Sequence, residues 1–341
     1  MINSSKVAIA AALCAGTLCS IEAAAATPAP VEHFGMCDAS AAVAVGVDQF
    51  LVANDEDNIL RLYRRDGADR EPRTFDLTTF LKLPGDQKTR EADIEGAAQI
   101  NNRVYWIASH GANSEGKARP ERRQLFATDL STGNNNDVRV TPVGTPYRGL
   151  LEAMDKDPLL SQYGLPKAAQ FAPESDQGLN IEGLAATPEG YLLIGFRNPV
   201  PGGKALLIKL QNPDAVLGLA GQAAPSAPKF AAPIELPLGG LGIRSIEYAR
   251  NLRAYLIVAG PRGKGGKDGA FKLYKWAEGA APVPLRIDIP SGLRPEALFA
   301  LADGKTYQLL SDDGDEQIGG ADCKDVEPAA KRKFRSITIS P

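Results

Sequence analysis

Asn180-Ile181-Glu182-Gly183-Leu184-Ala185 is the phrase that decides the architecture, because close variants return three more times: Asp93-Ile94-Glu95-Gly96-Ala97-Ala98, Ser245-Ile246-Glu247-Tyr248-Ala249 and Arg294-Pro295-Glu296-Ala297-Leu298. Each variant sets one carboxylate at the mouth of an apolar stretch. A second apolar stretch, opening on an aromatic, follows about ten residues later. A phrase that recurs in this way predicts stacked repeats, each too small to bury its own apolar face.

Aligning the phrases gives five units. Strand A of each begins at an acid (Asp38, Glu95, Glu182, Glu247 or Glu296) and strand B opens on an aromatic (Phe50, Tyr105, Tyr191, Tyr255 or Tyr307). Short apolar runs bounded by Asn, Asp, Gly or Pro read as buried strands. A third, alternating segment follows in every unit, around Leu60, Leu125, Leu207, Leu273 and Phe334. Alternation of this kind predicts one solvated face. Fourth strands are expected at residues 73–77, 138–143, 234–238 and 285–289, and the fifth unit runs out of chain.

Five four-stranded antiparallel units arranged radially make an all-β propeller, which leaves few exposed sheet edges. The missing strand is expected from Val31-Glu32-His33-Phe34, which would close the last blade with the N-terminus. Cys37 would then lie beside the fifth-blade loop that carries Cys323. A bridge there would stabilise by about 4 to 5 kcal/mol in the chain-entropy picture; the alternative is two unrelated buried thiols.

Residues 1–26 combine a charged start, an apolar run from Val7 to Cys19 and an Ala-rich exit at Ala23-Ala24-Ala25-Ala26. That pattern predicts a secretory signal and an exported protein, periplasmic or extracellular, whose single domain covers residues 27–341. A helical insertion is expected at about residues 145–179, and an Ala/Pro/Gly-rich surface excursion at 218–233. A net charge of −3 gives no reason to expect nucleic acid or an anionic membrane as partner. No P-loop, dinucleotide fingerprint or Gly-x-Ser-x-Gly elbow is present, so no nucleotide cofactor is expected. With only His33 and His110 in the chain, zinc is a poor fit.

A propeller chain enters each blade at its innermost strand, so loops entering strand A and leaving strand B share a face. Asp38, Glu95, Glu182, Glu247 and Glu296 are thereby expected around one rim of the central channel. Carboxylates converging on an axis need a cation, arginines or water. An all-oxygen set suits Ca2+ or Mg2+. Arg197, Arg244, Arg262 and Arg294 are the candidate anion ligands, within a basic rim that includes Lys88, Arg90, Lys117, Arg119, Arg122, Arg123, Lys204, Lys264 and Lys267. His110, on the same face, is the candidate general base. Each of these has a plainer reading: blade-spacing hydrogen bonds for the acids and His110, solvated loops for the basic residues.

At the Ile-Glu-Gly phrases and Arg294-Pro295-Glu296-Ala297-Leu298, the chain resembles an exported bacterial family of propeller-like proteins of unknown function. The Ile181-Glu182-Gly183-Leu184-Ala185 phrase is more distantly similar to one in the esterase-like phytase group. The fold is what the resemblance implies; activity transfers less readily. Two functions remain open, a metal-assisted phosphoester or ester hydrolase and a non-catalytic module holding a small or polymeric anionic or polar ligand, or a protein.

Overall fold

The computed structural model describes Met1 and residues 29–83, 90–133, 137–219, 221, 225–263 and 271–341. The proposed leader, Lys88, Lys264 and Lys267 lie outside the described residues. Strand β1 (Val31–Phe34) opens the fold. Blade one follows as β2 to β5 (Ala39–Val45, Gln49–Asn54, Ile59–Arg64, Arg73–Asp76). Blade two is β6 to β9 (Ile94–Ile100, Arg103–Ala108, Leu125–Thr132, Val138–Tyr147). Blade three is β10 to β13 (Asn180–Ala186, Leu192–Asn198, Ala205–Leu210, Ile234–Leu236). Blade four is β14 to β17 (Gly242–Ala249, Ala254–Gly260, Lys272–Trp276, Val283–Pro284). Blade five takes β18 (Pro295–Ala300), β19 (Tyr307–Ser311) and β22 (Lys333–Ile339), with β1 as its outermost strand. A ribbon of β20 (Gln317–Ile318) and β21 (Ala321–Asp322) leads to Cys323.

The innermost strands β2, β6, β10, β14 and β18 neighbour one another in a closed ring. Five apolar clusters fill the five gaps between blades. Between blades one and two, for example, Leu51 and Leu60 pack with Trp106 and Phe126. Facing sheets bury both surfaces of each blade, which is why strand B runs apolar throughout rather than alternating.

The expected closure is present, with β1 pairing β22 in antiparallel register from Val31 opposite Ser336 to Phe34 opposite Lys333. His33 is wholly buried there, bonded to Ser336 Oγ at 2.9 Å and stacked on Phe334. Burial pushes its imidazole down to about 4. Cys37 and Cys323 form a disulfide, Cα atoms 6.0 Å apart, across the same seam. The insertion carries helices α1 (Leu150–Lys156) and α2 (Leu165–Ala168), whose Leu150, Leu151, Met154 and Leu165 join the cluster between blades two and three. A third short helix, α3 (Pro213–Val216), precedes the excursion.

One strand differs from expectation. Blade four is edged by Val283–Pro284 rather than residues 285–289, whose Leu285, Ile287 and Ile289 instead pack against the cluster between blades four and five. Pro284 and Pro290 bracket that segment and supply no amide hydrogen to a ladder. No helix among the described residues is long and apolar enough to cross a membrane.

Candidate functional site: an acidic cup at one mouth of the channel

Every innermost strand carries a β-bulge near its start. The displaced residues are Ser40 in β2, Glu95 in β6, Glu182 in β10, Arg244 in β14 and Glu296 in β18. A bulge inserts one unpaired residue and re-aims its side chain. Here the last four line the channel mouth, and Ser40 Oγ bonds instead to the Ile94 carbonyl of the next blade. Close packing selects the residue after each bulge: a Cβ on Gly96 would stand 2.8 Å from Ile107 and 2.9 Å from Leu184, and one on Gly183 would stand 2.7 Å from Ile243.

This register corrects two of the sequence alignments. Asp38 lies two residues before the bulge of its blade, in the place held by Asp93 in blade two, and still lines the cup. Glu247 is three residues beyond the bulge of blade four and faces the other mouth of the channel, beside Gln99, Thr187 and Arg250. Its place in the cup is taken by Arg244, whose neighbours on either side are acids.

Glu182 Oε1 accepts from Arg197 at 3.0 Å and Asn180 Nδ2 at 2.7 Å, while its Oε2 lies 2.9 Å from Arg244 Nε. Arg244 also pairs with Glu296. Two cations against two acids leave this half of the cup close to neutral. Arg294, at the rim, pairs with Asp315 at 3.1 Å and Glu316 at 3.6 Å.

The other half is unbalanced. Asp55, Asp93 and Glu95 offer oxygens all within 4.8 Å of one another. Asp93, held in a left-handed backbone conformation, is bonded by Ser109 Oγ and paired with Arg122 at 2.7 Å. Glu95 has no hydrogen bond or ion pair with any described residue although it is 7% exposed, and Asp55 Oδ1 is buried without a partner. Burial, then repulsion from Asp93 and Glu182, pushes Glu95 well above the usual carboxylate range. Burial and then Asp38 do the same to Asp55. Asp93 rises to about 6 and Asp38 to about 8, each through burial first, with Asp312 adding to the second.

Two adjoining cavities of about 380 and 470 Å³ open over these groups and share Asp55, Glu95, Glu174 and Lys324. Glu174 belongs to the insertion and is tethered by Arg197 at 3.5 Å, so the loop after α2 forms one wall. Lys324, next to the disulfide, approaches Asp315 at 3.4 Å and Glu56 at 3.9 Å.

The remaining sequence candidates sit elsewhere. His110 lines neither cavity. Left-handed backbone at this residue turns its ring back onto the Ala108 carbonyl, 2.8 Å from Nδ1, and burial pushes it down to about 4. Arg262 pairs with Asp176 at 3.1 Å outside the lining. The basic rim is not a free anion trap: Arg90, Lys117, Arg119, Arg122, Arg123 and Lys204 all pair with acids. Asp55 was visible in the sequence as part of the acidic turn Asp55-Glu56-Asp57-Asn58, which resembles a calcium loop, whereas Asp93 was not foreseen, although the polar residue two before the bulge recurs as Asp38, Asp93, Asn180 and Arg294.

Among solved structures, the chain is similar to a putative oxidoreductase (glucose dehydrogenase) from Thermus thermophilus, at 14% identity and TM-score 0.42 over 92% of this chain and 100% of that one. It is also similar to a glutaminyl cyclase of Myxococcus xanthus, at 11% identity and TM-score 0.41 over 92% and 95%. A Trypanosoma rangeli sialidase aligns at 12% identity and TM-score 0.42, over 81% of this chain and 43% of that one. No chemistry is carried over from these likenesses. No curated protein matches significantly. A family model does match, over residues 38–146 and 132–288, and the chain belongs to that family, described as a protein of unknown function (DUF3616).

Proposed function

We propose that the cup binds a divalent cation, Ca2+ or Mg2+, at Asp55, Asp93 and Glu95, and through it an anionic or polar oxygen-rich ligand. The observation that carries this reading is that, among the described residues, Glu95 and Asp55 Oδ1 have no partner in a cluster within 4.8 Å whose single pairing arginine, Arg122, engages Asp93. Like charges gathered in a poorly solvated site raise one another's proton affinity, and a hard cation relieves that cost. All-oxygen donors fit Ca2+ or Mg2+ better than zinc. The cavities above the cluster leave room for water and ligand oxygens to complete the coordination.

A second reading, metal-assisted hydrolysis of a phosphoester or ester, is favoured by Asp38, which lies outside the three cation ligands and which burial and then Asp312 push up to about 8. Carboxyls displaced in this way can accept and return a proton near neutrality. The cation would supply Lewis acidity and charge neutralisation. The buried His110 is not a candidate base in this arrangement. The disulfide and the leader-like residues 1–26 support an exported location.

Thermal melting of chelator-treated protein, with Ca2+ or Mg2+ added back, tests the binding reading. A saturable rise in Tm that Asp55→Asn removes is expected; an unchanged Tm with both ions contradicts it. A phosphoester and ester panel with and without chelator then separates binding from turnover.

A further inference from the structure

We propose that the opposite mouth of the channel is a second, independent binding site, taking a small molecule that bears a carboxylate or phosphate group on Arg250 and Arg253. The A-to-B hairpin turns of the blades ring this mouth, and a cavity of about 680 Å³ opens among those of blades two, three and four. Arg250 and Arg253 bracket the turn of blade four and both line the cavity. Neither side chain has an ion pair or hydrogen bond with any described residue. The contrast with the cup is direct, because the arginines lining the cup cavities, Arg119, Arg122, Arg197, Arg244 and Arg294, are all paired with carboxylates.

Of the acids of this mouth, Glu189 is exposed to solvent and stays charged, its carboxyl held below the usual range by Thr187 in its own turn. Glu247 is pushed up by burial to about 7, against the pull of the Ala300 amide and of Arg250, and this upward shift weakens its charge against an incoming anion.

The turn that presents the arginines is fixed. Tyr307 of blade five donates its hydroxyl to Asn251 Oδ1 at 2.7 Å, and the Arg253 amide bonds to the Arg250 carbonyl. Arg253 has φ of 48°, a left-handed conformation that glycine or asparagine adopts with less strain. The short turn between the two strands imposes this conformation, and it holds Arg253 beside Arg250 at the cavity. Two guanidinium forks on a rigid turn suit the planar, bidentate recognition of carboxylate or phosphate oxygens. Amide and hydroxyl groups of Gln99, Asn101 and Thr187 complete the polar lining.

Isothermal titration of the full chain with inorganic phosphate and, separately, with succinate tests this site, using protein stripped of divalent cations by chelator and then dialysed free of the chelator, itself a polycarboxylate. Saturable binding of either anion is expected, about tenfold or more weaker in Arg250→Gln/Arg253→Gln and unchanged in Asp55→Asn. Which anion binds distinguishes the phosphate from the carboxylate source. Arg253→Asn, which suits the left-handed backbone, is expected to weaken binding while leaving Tm equal or higher. Failure of both anions to saturate at millimolar concentration would overturn the proposal, as would wild-type affinity in the double variant or loss of binding in Asp55→Asn. None of these outcomes depends on whether the cup binds a cation.

Discussion

The two mouths of the channel are built from the opposite ends of the same five strands, yet their charges are arranged differently. At the cup, bulges turn Glu95, Glu182, Arg244 and Glu296 inward, and burial deprives their charges of water. At the other mouth the strands have returned to regular pairing, and arginines project from exposed turns. The same repeat thus produces buried acids at one end and solvated cations at the other. Charges at the cup should therefore govern stability, whereas Arg250 and Arg253 should barely affect it.

The largest expected effect lies at the seam beside the cup. Opening the disulfide by Cys37→Ser/Cys323→Ser should cost about 4 to 5 kcal/mol, read by denaturant unfolding, and should loosen Asp38 and Lys324, each adjacent to a bridged cysteine. A loss below about 1 kcal/mol would mean that β1 alone fastens the ring. Next is Arg244→Ala, which leaves Glu182 and Glu296 without their shared cation and should destabilise by about 3 to 5 kcal/mol. Arg250→Ala at the opposite mouth should change stability by less than about 0.5 kcal/mol. Equal effects of the two substitutions would remove the distinction between the mouths.

A smaller effect is the pH dependence. A carboxyl whose folded value is raised stabilises fully below its unfolded value, near 4, and loses that stabilisation as pH rises toward the folded value. The buried His33 and His110, lowered to about 4, act in the opposite sense and lose stabilisation as pH falls from 6.5 to 4. Between pH 6.5 and 8.5 the histidines are silent. With Asp38 at about 8, cation-free protein should lose about 2 kcal/mol over that interval from this residue alone, with Asp55, Glu95 and Glu247 adding in the same direction. Saturating Ca2+ should flatten the slope. A slope that is unchanged by Ca2+ would separate the acids from any cation. Smallest is Glu247→Gln, which removes a half-buried carboxyl at the far mouth and, with solvent screening counted, should raise stability by less than about 1 kcal/mol at pH 8, with cation binding unaltered.

The ring was legible because its signal is redundant: an aromatic opening strand B, an apolar run after it, and an alternating third strand recur in every unit. Even the completing strand Val31-Glu32-His33-Phe34 and the Cys37–Cys323 bridge could be placed by asking what the fifth blade lacked. The register at the cup was harder, because Ser245-Ile246-Glu247 reads like Asn180-Ile181-Glu182 letter by letter. What distinguishes them is steric. The residue after each bulge is small, Ala41, Gly96, Gly183, Ser245 or Ala297, and at Gly96 and Gly183 even a Cβ would collide with Leu184 and Ile243 of the neighbouring blade. Tyr248 cannot fill that position, so the bulge of blade four falls on Arg244. His110 was misplaced for a related reason: its position at the end of strand B is correct, but a left-handed backbone turns the ring inward. Asp55 and Asp93 come from different blades, and only the three-dimensional arrangement shows that their oxygens meet those of Glu95.

The central claim is that the cup holds a carboxylate cluster, neutralised only at Asp93 among the described residues, which a divalent cation completes. Its most direct test is calorimetric titration of Ca2+ and Mg2+ into chelator-treated wild type, Asp55→Asn and Glu247→Gln. Saturable binding of at least one ion that is lost in Asp55→Asn and retained in Glu247→Gln is the expected result. No binding in wild type, or binding that survives Asp55→Asn unchanged, would contradict the account.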